Sequence, residues 1–208
     1  MNSPAPSRRM PFTLIAGVLL LLCAVGGALL YRAQGPGGDR PPLEGASIGG
    51  PFALVDGDGK PVTDKDFAGK WQLIYFGYTF CPDICPTDMQ RLAQGYRAFE
   101  AADPARAATV QPIFVTIDPS RDTPAVVKAF TAAFHPKFVG LTGTQPQVDA
   151  ALKAYRVYAA RGPGNGADYL MDHSAIAYLI DPEGKPISFL SQGSSAEDVT
   201  AELAKWVR

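Results

Sequence analysis

An apolar run, Trp71 to Tyr78, leads straight into Thr79-Phe80-Cys81-Pro82-Asp83-Ile84-Cys85-Pro86. Such a run has the length and composition of a strand buried on both faces. It cannot continue as a strand through Pro82 and Pro86, because proline has no N–H to give to a ladder. A helical pattern follows from Thr87 to Phe99, with Thr87 and Gln90 spaced as a capping box. Pro86 disfavours helical geometry at Cys85, so the helix is expected to start after the second thiol. Both cysteines then lie in a loop at the carboxyl end of a strand, where open α/β sheets place their sites.

The remaining pattern fits that frame. Phe52 to Val55 and Thr109 to Ile117 read as strands, and Asp56-Gly57-Asp58-Gly59 as a turn. Thr123-Pro124 opens a helix to about Phe134, with threonine at the cap and proline at the first helical position. Another helix covers about Pro146 to Tyr155. Ser174 to Ile180 and Pro186 to Leu190 flank Asp181-Pro182-Glu183-Gly184 as a hairpin, and a Ser194…Glu197 capping box opens the closing helix. Strands alternating with helices predict an α/β fold with a mixed sheet flanked by helices.

The N-terminus is different material. Phe12 to Tyr31 holds no charged residue. Twenty helical residues span roughly 30 Å, the thickness of a bilayer's hydrocarbon core. Leu20-Leu21-Leu22-Cys23 faintly resembles a lipoprotein signal, but a bulky leucine precedes the cysteine, and no small-x-small cleavage site follows. An uncleaved transmembrane helix over residues 12–31 is therefore favoured. Arg8 and Arg9 precede it and Arg32 follows, a bias that sets residues 1–11 in the cytoplasm and exports the rest. Residues 32–45, rich in Gly and Pro, read as a flexible linker. Residues 46–208 then form one domain of ordinary size. The net charge of -1 supplies no basic footprint for nucleic acid.

Thiols this close either chelate a soft ion or pass between dithiol and disulfide. A helix N-terminus favours the thiolate, while Asp83 and Asp88 oppose it. A purely structural disulfide across so short a loop would close little chain entropy. Outside the cytoplasm the pair would oxidise unless a metal or a reductant held it. Iron–sulfur clusters and structural zinc sites need four ligands, so metal binding here calls for a ligand from elsewhere. There are two histidines. His135, in Phe134-His135-Pro136, reads as a surface imidazole at a helix end. His173 follows the glycine-rich stretch Gly162 to Gly166, read as a flexible loop, and precedes an apolar strand; ligand and satisfied loop histidine both stay open for it.

Three motifs together, Tyr75 to Pro86, Val115-Thr116-Ile117-Asp118-Pro119-Ser120-Arg121-Asp122-Thr123-Pro124 and Asp172-His173-Ser174, closely resemble the Sco/SenC family of membrane-anchored copper chaperones. The resemblance covers about Ile48 to the C-terminus. It implies a thioredoxin-like fold with an inserted hairpin and extra N-terminal strands. It also implies copper, Cu(I) and/or Cu(II), held by Cys81, Cys85 and His173 and delivered to the binuclear centre on the copper-bearing subunit of cytochrome c oxidase. Other copper chaperones or thiol reductants would be further partners, and the bacterial inner membrane, with the domain on the periplasmic side, the location. Asp118 is expected to shape the site without being a ligand, and Met89 and Met171 to be core or rim. Two readings compete: a thiol–disulfide oxidoreductase, with Cys81 and Cys85 its redox pair, that reduces the cysteines of the oxidase copper site, and a peroxidase or redox sensor.

Overall fold

The computed structural model describes residues 25–26, 40–166 and 168–208. The tail 1–11, the apolar segment 12–31 apart from residues 25–26, and linker residues 32–39 lie outside the described residues. Among the described residues no helix is long and apolar enough to cross a membrane.

The folded unit runs from Pro41 to Arg208. Seven strands form one mixed sheet: β1 (Ala53–Asp56), β2 (Pro61–Thr63), β3 (Trp71–Gly77), β4 (Val110–Thr116), β5 (Val139–Thr142), β8 (Ile176–Ile180) and β9 (Pro186–Ser191). Their order is β2-β1-β5-β4-β3-β8-β9. The three central strands, β3, β4 and β5, run parallel, while β1 and β8 flank them antiparallel. Every residue of β3 and β4 is buried, as their unbroken apolar character requires. β6 (Ala159–Asn165) and β7 (Asp168–His173) make a separate two-stranded sheet, inserted ahead of β8.

The helices are α1 (Ile84–Ala102), α2 (Pro104–Ala108), α3 (Pro124–Ala132), α4 (Gln145–Ala154) and α5 (Ala196–Trp206). α1 and α5 cross closely at Gly95, where a Cβ would stand 2.5 Å from Val199 Cβ. α1 puts Met89, Leu92, Tyr96 and Phe99 into the core.

Five sequence expectations change. The first helix starts at Ile84, three residues early, so Cys85 lies in its first turn and no capping box forms at Thr87. Pro86 is tolerated there because first-turn N–H groups have no helical partner to lose. The stretch Gly162 to Gly166 is not a free loop: as far as Asn165 it belongs to β6 and pairs with β7. The last helix is capped one residue later, with Ser195 and Asp198 completing the box. His135 is buried, at 8% exposure, edge-on to Tyr96 and with Nε2 3.5 Å from a Glu100 carboxylate oxygen. The end of the linker is also engaged: the Leu43 amide donates to the Ile187 carbonyl of β9 at 3.1 Å.

Candidate metal and thiol site

β3 delivers the chain to the site. It ends at Gly77, whose missing side chain leaves room for a sulfur: a Cβ there would meet Cys85 Sγ at 3.1 Å and the Tyr75 ring at 2.8 Å. The Ile117 amide donates to the Gly77 carbonyl at 2.8 Å, one step beyond the β3–β4 register. The turn that follows closes with the Cys81 amide donating to the Tyr78 carbonyl at 3.4 Å. Cys81 is half-buried and Cys85 fully buried, and both are free thiols.

The two sulfurs face different surroundings. Burial works against a Cys81 thiolate, but hydrogen bonds from the amides of Cys85 and Asp83 outweigh it and bring the thiol below its ordinary value. The Cys85 amide lies 3.4 Å from Cys81 Sγ. For Cys85, burial dominates and pushes the thiol far up, aided by the charge of Cys81. The sequence left the balance between the helix N-terminus and the charges of Asp83 and Asp88 open; amide donors favour the first thiolate, and burial disfavours the second.

His173 ends β7 and reaches the same place. Its Nε2 lies 3.3 Å from Cys85 Sγ, across 88 residues of sequence. Its Nδ1 lies 3.1 Å from the Ser174 carbonyl. A carbonyl only accepts, so Nδ1 bears the proton and Nε2 turns its lone pair toward the sulfur. Burial lowers the imidazole's pKa, against the Ser174 carbonyl and the charges of Asp88 and Asp172, and so favours the neutral, ligating form. The Tyr78 ring meets the imidazole edge-on at 6.0 Å. Behind the thiol, the Tyr75 hydroxyl donates to Asp88 Oδ2 at 3.2 Å.

Cys81 Sγ points to the Cys85 amide rather than to the imidazole. Accordingly, no trio of His, Cys, Asp or Glu side chains among the described residues is drawn tightly enough to hold a metal ion as it stands. Cys85 and His173 are brought together, Cys81 stands beside Cys85, and His135 lies with Glu100 and Tyr96 instead.

A second layer ties the inserted hairpin down. Asp118 accepts from the Tyr169 hydroxyl at 2.8 Å, from Ser120 Oγ at 2.6 Å and from Arg121 Nε at 2.5 Å. Burial alone would raise this carboxyl, but those donors hold it below the ordinary range. The Tyr169 ring is sandwiched between the guanidinium groups of Arg121, 3.6 Å from its centroid, and Arg161, at 3.8 Å. Sequence reasoning singled out Asp118 but missed Tyr169 and Arg161. Their only advance signal was a cation and an aromatic flanking a glycine-rich stretch.

Residues 40–208 match the SCO1/SenC family. The chain belongs to that family. It is 40% identical over 162 residues to the mitochondrial SCO1 homolog of Mus musculus, covering 77% of this chain and 56% of that protein. It thus spans about half the length of such mitochondrial relatives. Among solved structures it resembles Arabidopsis thaliana ScoI with copper bound, at TM-score 0.71 and 38% identity over 76% of this chain and 97% of that one. Yeast Sco1 with copper bound is likewise similar, at TM-score 0.71 and 41% identity over 77% of this chain and 88% of that one. The mixed sheet flanked by helices is thioredoxin-like, as the family resemblance implied.

Proposed function

We propose that this SCO1/SenC protein is a membrane-anchored metallochaperone that binds copper through Cys81, Cys85 and His173 and hands it on during assembly of cytochrome c oxidase. The observation that carries the reading is the 3.3 Å approach of His173 Nε2, lone pair foremost, to Cys85 Sγ. A soft donor pair with one imidazole suits copper in both oxidation states: two thiolates satisfy Cu(I), and the nitrogen extends the set for Cu(II). Copper-bound structures of similar proteins support the choice of ion.

Binding begins at Cys81, the more exposed and more acidic thiol. Its sulfur turns away from the Cys85 amide toward the ion. Binding of the ion then displaces to solvent the proton that burial otherwise holds on Cys85. Three ligands leave one side of the ion open, so the thiols of the acceptor, the copper-bearing oxidase subunit, can displace His173 first and the cysteines after it. Residues 12–31 anchor the chain in the bacterial inner membrane, and the domain works on the periplasmic side.

Copper stoichiometry and absorption spectra test the site. The wild-type chain is expected to take up one copper per chain and to show a thiolate-to-Cu(II) charge-transfer band. Cys81→Ser loses that band; a variant that kept both band and stoichiometry would refute the ligand set.

One observation favours a second reading. A more acidic, accessible thiol next to a buried, protonated one is also the arrangement of an attacking and a resolving cysteine. As a thiol–disulfide oxidoreductase, the protein would turn over partner disulfides in metal-free form at a rate that copper abolishes.

A further inference from the structure

We propose that Asp122 is a positioning residue for the dithiol: its carboxylate fixes the loop that bears Cys81 and so sets how readily the two sulfurs meet. The inference deepens the reading of Cys81 and Cys85 as the reactive centre.

Asp122 is fully buried, at 0% exposure. Its Oδ2 accepts from the Thr79 amide at 3.0 Å and from Thr116 Oγ at 2.5 Å, and its Oδ1 accepts from Thr79 Oγ at 2.6 Å. Its backbone joins in: the carbonyl accepts from Thr142 Oγ at 2.6 Å, and the amide donates to the Asp118 carbonyl at 3.0 Å. The carboxylate thereby ties the loop after β3 to the last residue of β4, while the backbone carbonyl of the same residue holds the last residue of β5. Thr79 is held by both backbone and side chain, two residues before Cys81. The next bond along the chain is the Cys81 amide to the Tyr78 carbonyl, which closes the turn.

Burying a carboxylate costs several kcal/mol unless donors surround it, and a neutral side chain of similar size would join the same two segments at less cost. A charged acceptor holds Thr79 more stiffly, because charge-assisted bonds are shorter and stronger than neutral ones. Stiffness here has a chemical consequence. Two groups held at a fixed approach react with each other at a higher effective concentration than two that wander.

The test uses the full-length, metal-free chain in detergent, equilibrated with glutathione. One glutathione disulfide is reduced to two thiols for each Cys81–Cys85 disulfide formed, so the equilibrium constant reads the effective concentration of the pair. Asp122→Ala makes that disulfide about fivefold less favourable, the size of the net contribution of one ordinary hydrogen bond. Thr79→Val, which keeps the β-branched shape and loses only the hydroxyl, gives a smaller change of the same sign. Asp122→Asn keeps contacts to Thr79 and Thr116 but loses the charge, and gives a smaller change of the same sign as Asp122→Ala. Ile113→Val lowers stability from the β4 core without moving the constant. If Thr79→Val and any folded Asp122→Ala protein lower the melting temperature yet match Ile113→Val in the constant, the role is structural only and the proposal is overturned. Copper titration of the wild type separates the two ideas. A chain that shifts with Asp122 but takes up no copper refutes the chaperone reading and leaves this one standing.

Discussion

At the scale of single residues, the site is defined by asymmetry. Cys81 and Cys85 share a motif, but amide donors lower the first thiol and burial raises the second. In metal-free protein near neutral pH, iodoacetamide is therefore expected to label Cys81 well before Cys85, which peptide mapping at short times will reveal. His173→Ala is expected to weaken Cu(II) binding more than Cu(I) binding, because the imidazole is the harder donor; equal losses for the two ions would count against it as a ligand. The buried imidazoles also set a pH dependence. Burial lowers both His173 and His135 from 6.5. Between those lowered values and 6.5 the unfolded chain holds more protons than the folded one, so stability rises with pH across that window and is lost as pH falls. Asp88 and Asp122, raised from 3.8 by burial, act in the opposite sense over a window that opens at 3.8. The melting temperature of the metal-free protein should climb from pH 5.5 to 7, and less steeply in His135→Leu. The sequence made the cysteine pair plain, since both thiols sit within five residues. It could not reveal the burial of His135, because Tyr96 and Glu100 lie some 35 residues upstream.

At the scale of elements, two contacts decide geometry. Gly95 lets α5 lie against α1, and a Cβ there would also stand 2.6 Å from the Ala196 carbonyl oxygen. Gly95→Ala should destabilise the fold by about 1–3 kcal/mol, read by denaturant unfolding, as overpacked helix contacts do. The other contact is the clamp on Tyr169. Tyr169→Leu removes the hydroxyl from Asp118 and the ring from between two guanidinium groups, which frees β6–β7 and so the strand that ends in His173. Cu(II) affinity should drop several-fold, while the Cys81–Cys85 disulfide equilibrium stays put. The strands β3 and β4 were legible because seven-residue buried runs leave few alternatives. The inserted hairpin was implied by the family resemblance, but its place was not legible, since glycines that suggest a loop equally let two backbones pair closely, and only the partner strand decides. The start of α1 was misjudged for a related reason: local rules place the restriction before Pro86 correctly, but the first turn of a helix relaxes it.

At the scale of the whole molecule, β3 leads to the sulfurs at the carboxyl end of the parallel strands, and a separate small sheet supplies the nitrogen. The proposed anchor can be tested alone: the full chain should resist carbonate extraction from membranes, and a chain beginning at Pro41 should not. Where such a shortened chain begins matters more than its composition suggests. β9 is the last strand of the sheet and offers its outer backbone groups, with Phe189 facing solvent at 45% exposure. The Leu43 amide occupies one of those groups, so the stretch that looks like mere tether shields a sticky border. A soluble version trimmed to residue 46 would strip that shield and self-associate through β9, and its copper count would then describe clumped material.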